Sequence, residues 1–285
     1  MSSVDTPLFS DLPALIREDL IGHYSLSADQ IGLFQDQGFI KLKQVLAPPT
    51  LAFFRAEVER VVTSNAARQK PMDERTTYEK AFLQLMNLWT HQEVIRKLSF
   101  SPKMARIAAE LMQVKGVRMY HDQALYKEPG GGLTPWHADK YYWPVDRDTM
   151  CTAWIPLQAT TLDMGALGFS AGSHHFVYGR DLEISDESER ALQEALEIQR
   201  FPYKVGAFEL GEVSFHWGWT FHNAGPNVSD KARAVMTMIY LEDGARLTEP
   251  CNRNQKDDWD WWMPGAAVGQ PIGTRLNPLL YRQEN

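Results

Sequence analysis

Thr134-Pro135-Trp136-His137-Ala138-Asp139 is the stretch on which the fold and chemistry of this chain turn. In an extended segment, side chains two residues apart point the same way, so His137 and Asp139 can converge on one point. An imidazole and a carboxylate are two thirds of the facial triad that holds non-heme Fe(II) while leaving coordination positions open. The tripeptide alone is weak, because His-x-Asp is common by chance and often marks a hydrogen-bonded surface pair. A second stretch strengthens it: Phe215-His216-Trp217-Gly218-Trp219-Thr220-Phe221-His222-Asn223-Ala224-Gly225-Pro226-Asn227, followed by Arg233 at the head of an apolar run. His222 would complete a set of two histidines and one carboxylate. Arg233 supplies a permanent planar charge suited to gripping a carboxylate bidentately. An arginine buried at the start of a core strand needs such a partner, because an unpaired buried charge is expensive. His216 competes for the distal position. The spacing to Arg233 and the run Asn223-Ala224-Gly225-Pro226-Asn227 favour His222, with His216 beside the ligands or in the core.

Working outward, residues 117–241 form short β-like runs broken by Gly, Pro and Asp: Val117 to Tyr126, Met150 to Leu157, Gly165 to Ser170, Glu212 to His216 and Ala234 to Leu241. This spacing predicts a β-sandwich or jelly roll. One helix, about Ser185 to Gln199, interrupts it with an acidic first turn. The chain before Val117 reads as helical. Ser27 caps a helix that stops at Gly38, Phe39 to Lys43 alternates as a short strand, and Pro48-Pro49 opens a long helix with Leu51, Phe54 and Val58 on one face. Residues 77–113 read as two or three more helices. From Thr248 the chain reads as loop, with Trp259-Asp260-Trp261-Trp262 inside it. The expected architecture is mainly β with a helical layer. One domain spans 1–285, with helical support over 1–115, a jelly-roll core over 116–245 and a C-terminal tail or lid over 246–285.

Bulk composition agrees and narrows the function. A chain of 285 residues buries roughly 75% of its unfolded surface and needs no disulfide or structural metal to hold a core. Hydrophobic content of 44% and charged content of 23% are those of a globular protein. A net charge of -7 argues against nucleic acid or an anionic membrane as the partner. Cys151 and Cys251 lack C-x-x-C spacing, which excludes zinc-ribbon and thioredoxin-type sites and suits a reducing compartment. The opening Met1-Ser2-Ser3-Val4-Asp5-Thr6-Pro7 has neither a basic nor an apolar leader region, and no apolar run approaches the ~18 residues of a membrane helix. The expectation is a cytoplasmic protein.

With these residues in place, the chain resembles the phytanoyl-CoA dioxygenase-like branch of the Fe(II)/2-oxoglutarate-dependent oxygenases. The resemblance runs from the helix before Gly38-Phe39-Ile40 to the strand ending at Leu241. Gly168-Phe169-Ser170-Ala171-Gly172-Ser173-His174 is similar to the family's Pro-Gly-Ser-His turn, with Ser170-Ala171 in place of the usual proline. The resemblance implies a double-stranded β-helix, the jelly roll of this family. It implies that His137, Asp139 and His222 ligate Fe(II) and that Arg233 binds the distal carboxylate of 2-oxoglutarate, these four forming the catalytic centre. It sets Trp154 against the cosubstrate and Gln123 and Lys127 near it, their spacing of four giving a shared strand face. Thr152 shares the face of Trp154. The implied reaction consumes dioxygen and 2-oxoglutarate, releases succinate and carbon dioxide, and hydroxylates a small organic metabolite. Asp139 disfavours halogenation, since halogenating members lack the carboxylate ligand.

Candidate substrate residues surround these positions. Tyr141, Tyr142 and Trp143, with Lys140, follow the His-x-Asp and are placed to line the substrate mouth, or to pack an ordinary loop. His121 shares strand parity with Gln123. Trp217 lies in the aromatic stretch before His222. Met86, with Asn87 and Trp89, is placed to roof the pocket from the helical layer. Trp259, Trp261 and Trp262 form either a lid or an aromatic anchor. Two other readings stay open: the same scaffold catalysing desaturation, epimerisation, cyclisation or endoperoxide formation, and a non-enzymatic jelly-roll binding protein. Arg96, Lys97, Lys103 and Arg106 are the one loose basic cluster for a coenzyme A thioester, and they read better as a solvated face. A homodimer is left open.

Overall fold

The computed structural model describes residues 6–66 and 70–284. The opening residues read for a leader lie outside them as far as residue 5. Capping chemistry sets the N-terminal helices. After α1 (Ala14–Ile21), α2 (Ala28–Gln37) opens on a capping box between Ser27 and Gln30 and stops at Gly38, whose φ of 81° is left-handed. A Cβ on Gly38 would meet His174 Nδ1 at 2.4 Å, so this turn admits only glycine. β1 (Phe39–Leu42) follows, then α3 (Pro48–Ala66), which buries Leu51, Phe54 and Val58. The layer is completed by α4 (Thr77–Ala81), α5 (Glu93–Ser99) and α6 (Pro102–Met112).

Between α4 and α5 the sequence reads as helix, and the structure differs. Leu83–Met86 is a strand, β2, paired antiparallel with residues 123–126 of β3 (Gly116–Lys127). Leu83-Gln84-Leu85-Met86 is too short to declare a period, and pairing with β3 decides its conformation.

The remaining elements are β4 (Thr134–His137), β5 (Met150–Pro156), β6 (Leu167–Ser170), α7 (Asp186–Ile198), β7 (Tyr203–Val205), β8 (Val213–Trp217), β9 (His222–Ala224), β10 (Arg233–Glu242), α8 (Arg253–Trp262) and β11 (Leu279–Arg282). Among the described residues they form a 7-stranded sheet, β1-β8-β5-β10-β3-β11 with β2 also on β3, and a 4-stranded sheet, β4-β9-β6-β7. All pairs are antiparallel, and the two sheets make the predicted jelly roll. The outer edge of β3 is shared, with β11 along residues 116–118 and β2 along residues 123–126. The strands of the large sheet therefore come from all three segments of the chain.

α8 and β11 correct the reading of the tail as loop. Asn252 caps α8 through Gln255 N, and Arg253–Asp257 and Lys256–Asp260 ion pairs brace it at i,i+4 spacing. A helix so polar carries little apolar periodicity, which is why the pattern missed it.

The principal core lies between the helical layer and the large sheet, with Ala153, Phe215, Met236 and Met238 facing α6 and its neighbours. A smaller one lies between the sheets around Trp154, Phe169, Phe208 and Val235. β10 is buried on both faces because it has a helical layer on one side and the second sheet on the other. No helix among the described residues is long and apolar enough to cross a membrane.

Candidate active site

β4 and β9 pair with His137 directly opposite His222, which sets their ring centroids 4.1 Å apart. Asp139 follows where β4 gives way to a single 3-10 turn. Its Oδ1 lies 3.6 Å from Nε2 of both histidines, and the three ligand atoms fall within 4.8 Å of one another. Each ring is fixed from behind: His137 Nδ1 donates to the Pro135 carbonyl at 2.7 Å and His222 Nδ1 to that of Thr220 at 2.9 Å. Those bonds put the proton on Nδ1 and turn an Nε2 lone pair toward Asp139. Burial pushes both histidines down to about 4, so they are neutral, as ligation requires. Burial acts to raise Asp139, but His222, His216 and His137 together hold its carboxyl well below the usual carboxylate range.

A second cross-strand pair, Thr152 on β5 and His216 on β8, supports Asp139 from below. Thr152 Oγ1 donates to Asp139 Oδ2 at 2.7 Å, and His216 Nε2 stands 3.2 Å from the same oxygen. Oδ2 is thus spoken for, and Oδ1 is the oxygen turned to the histidines. His216 stands beside the His137, Asp139 and His222 cluster and is not one of the three.

These groups lie on the wall of a cavity of about 400 Å³. Arg233 lines it from the first residue of β10 and is 2% exposed. Its guanidinium sits 5.4 Å from the Trp154 ring centroid, and Nη1 donates to the Gly165 carbonyl. Nε has no partner, and among the described residues no carboxylate pairs with this arginine. Burial alone lowers it to about 9. A buried guanidinium with unused donors fits a carboxylate ligand, and two neutral Nε2 atoms beside a carboxylate oxygen fit a divalent iron.

Most of the remaining sequence candidates meet here. Trp154, Thr152, Gln123 and His121 line the cavity from the sheet. Tyr142 and Trp143 line it from the turn after Asp139, and Met86 from β2. Gln84 Nε2 donates to Gln123 Oε1 at 2.5 Å and so fixes its amide.

Four candidates lie elsewhere. Lys127 shares the strand face of Gln123, but at the end of β3 its Nζ turns to the carbonyls of Gly132 (2.5 Å) and Gly225 (2.9 Å) and ties two loops together. Tyr141 packs edge-on against Tyr142 beside the cavity, outside its lining, and its carbonyl accepts from Gln255 Nε2 at 3.0 Å. Trp217 follows His216 in β8, and alternation sends it to the opposite face, where it meets Phe34 at 5.0 Å. Trp89 is likewise in the core, 5.0 Å from Phe100.

The sequence reading missed two groups. Thr237 and Ile239 line the cavity from β10, and extending the two-residue parity from Arg233 along that strand would have found them. Asn254, Asp257 and Asp258 line it from α8, where the unread helix hid the face they share with Trp261, one of the tryptophans expected to form a lid or an anchor.

Comparison with known proteins agrees with this geometry. The phytanoyl-CoA dioxygenase (PhyH) family matches residues 34–235. The ectoine dioxygenase of Streptomyces anulatus is 23% identical over 244 residues, covering 79% of this chain and 81% of that one. A probable alpha-ketoglutarate-dependent hypophosphite dioxygenase of Stutzerimonas stutzeri is 24% identical over 225 residues, covering 75% and 78%. The fold is shared with the non-heme alpha-ketoglutarate-dependent carbocyclase SnoK from nogalamycin biosynthesis, at a TM-score of 0.73 and 23% identity over 90% of this chain and 99% of that one. It is shared also with the epimerase SnoN solved with Fe3+, alpha-ketoglutarate and nogalamycin RO, at a TM-score of 0.72 and 22% identity over 89% and 98%. With a His-Asp-His site on a jelly roll and the family match across most of its length, the chain belongs to the phytanoyl-CoA dioxygenase family and is related to the Fe(II)/2-oxoglutarate-dependent dioxygenases.

Proposed function

We propose that this protein is a non-heme Fe(II)- and 2-oxoglutarate-dependent dioxygenase that hydroxylates a small organic metabolite and releases succinate and carbon dioxide. One observation carries this reading: a single cavity holds a convergent His137, Asp139, His222 set and a buried arginine with no carboxylate partner among the described residues. Iron and 2-oxoglutarate, when bound, supply the activation of dioxygen that no side chain provides.

The chain's own part is positioning and exclusion of water. The Nδ1–H bonds of His137 and His222 hold the ligand geometry. Thr152 and His216 hold one oxygen of Asp139 and free the other. Arg233, flanked by Trp154, gives the distal carboxylate of 2-oxoglutarate a forked donor. Trp143 and Trp154, 3% exposed each, wall the cavity against solvent.

The substrate is a small molecule other than a coenzyme A thioester. Of the four basic residues that such a thioester would need, Lys97 pairs with Asp11 and Lys103 with Asp19, each at 2.5 Å, and Arg106 with Glu110 at 2.6 Å. A cytoplasmic setting fits unpaired Cys151 and Cys251, and the net charge of -7 speaks against nucleic acid.

The test is substrate-dependent succinate formation by protein loaded with Fe(II) and 2-oxoglutarate, screened over small metabolites. His137→Ala and Asp139→Ala should each abolish it, and full activity in either variant would overturn the proposal. Product mass identifies the outcome: a gain of one oxygen marks hydroxylation, and a loss of two hydrogens marks desaturation or ring closure.

A further inference from the structure

The outer end of the cavity carries charge that the proposed reaction does not use. α8 presents Asn254, Asp257, Asp258 and Trp261 to the cavity at i, i+3, i+4 and i+7, and Glu183 adds a third carboxylate to the same lining. Among the described residues that line the cavity, Arg233 is the one Lys or Arg, and it belongs to the cosubstrate end. The nearby Arg253 lies 3.1 Å from Asp257, but its side chain is 86% exposed, so solvent screens that pair.

The fold goes to some length to put Asp258 there. The β3–β10 register slips between Ile239 and Tyr240, leaving Tyr120 as an extra residue on β3. Such a bulge re-aims side chains. Adjacent residues then both reach α8: the Tyr120 hydroxyl donates to Asp258 Oδ2 at 2.7 Å, and the His121 ring lies 5.6 Å from Trp262. Asp258 is held as a buried carboxyl, 9% exposed, on the cavity wall. Two independent features point to an occupant. Trp261 stands at the cavity 59% exposed, its ring in T-shaped contact with Trp262 at 6.0 Å. His121, which lies against Trp262 of α8, is buried in the lining, and its Nδ1 has no hydrogen-bond partner among the described residues.

We propose that the α8 face selects a substrate bearing a cationic nitrogen, a protonated amine, amidine or guanidine, seated between the carboxylates of Asp258 and Asp257 and the ring of Trp261. Carboxylate charge and the negative face of an indole both favour a cation, and both repel a phosphate or carboxylate. Burial raises the Asp258 carboxyl to about 7, and a cation beside it would draw it back to the ionised form. The proposal rests on reading this cavity as a substrate pocket, so its test reads binding directly.

The full-length protein is titrated by calorimetry with benzamidine, benzamide and benzoate, which share a shape and differ in charge. Benzamidine should bind at least about tenfold more tightly than the other two, and Asp258→Asn should remove about tenfold of that advantage. Asp257→Asn with Glu183→Gln, at more exposed positions, gives the same reading if Asp258→Asn fails to fold. Equal binding of the three, a preference for benzoate, no binding of benzamidine, or a preference untouched by the variants would overturn the proposal. The anaerobic Fe(II)–2-oxoglutarate absorption band is recorded on the same wild-type samples. Its absence sinks the dioxygenase reading without touching the cation preference, and its presence beside indifferent calorimetry sinks the α8 proposal alone.

Discussion

Thr152 Oγ1 donates to Asp139 Oδ2 at 2.7 Å, while Asp139 Oδ1 stands 3.6 Å from Nε2 of both His137 and His222. The carboxylate thus has one oxygen anchored in the large sheet and one offered to a metal. Thr152→Val keeps the shape and removes the anchor. Iron affinity should fall by roughly 10- to 100-fold, the usual effect of losing a partner behind a ligand. Anaerobic Fe(II) titration measures it, and unchanged affinity would show that the hydroxyl is idle.

Arg233 is buried with no counter-ion among the described residues, which costs the free protein stability. Arg233→Met should raise the melting temperature of the metal-free protein by a few degrees. It should also abolish the further rise that 2-oxoglutarate gives in the presence of Fe(II). Thermal unfolding with and without 2-oxoglutarate reads both. A variant less stable than wild type that still gains from 2-oxoglutarate would contradict the assignment.

Asp122 gives a pH dependence outside the active centre. Burial raises its carboxyl to about 6, against which Ser99 Oγ (2.5 Å) and the Trp89 amide (3.2 Å) donate to it. The folded state therefore holds this proton more tightly than the unfolded chain does. The stability it contributes is fully present below about pH 4 and is lost as pH rises toward 6. The change is on the order of 2 to 3 kcal/mol. In Asp122→Asn that part of the slope should vanish, as urea unfolding at stepped pH would show. An unaltered slope between pH 4 and 6 would place the proton elsewhere.

How far the sequence disclosed this arrangement depends on which interactions fix each part. His137 and Asp139 were legible because strand parity is local, and the β10 run after Arg233 because both its faces are apolar. The jelly roll followed from short runs broken at turns. β2 was hidden because four residues carry no period and the partner strand decides their state. Trp217 was misjudged because proximity in sequence to His216 means opposite faces in a strand. Lys127 was on the expected face, but its long side chain followed the nearby carbonyls of Gly132 and Gly225. α8 was invisible to hydrophobic pattern because ion pairs and a cap stabilise it, and with it went Asp258 and the face it shares with Trp261. The bulge that aims Tyr120 is a matter of register between distant strands, which no local reading supplies.

The central claim is that His137, Asp139 and His222 hold iron while Arg233 holds 2-oxoglutarate in the same cavity. Anaerobic addition of Fe(II) and then 2-oxoglutarate to the purified protein tests it most directly, read as visible absorption. A weak charge-transfer band should appear in the wild type, be absent in His137→Ala, and require much more 2-oxoglutarate in Arg233→Met. A wild type that gives no band at saturating Fe(II) and 2-oxoglutarate would contradict the account and favour a jelly roll that binds its ligand without iron.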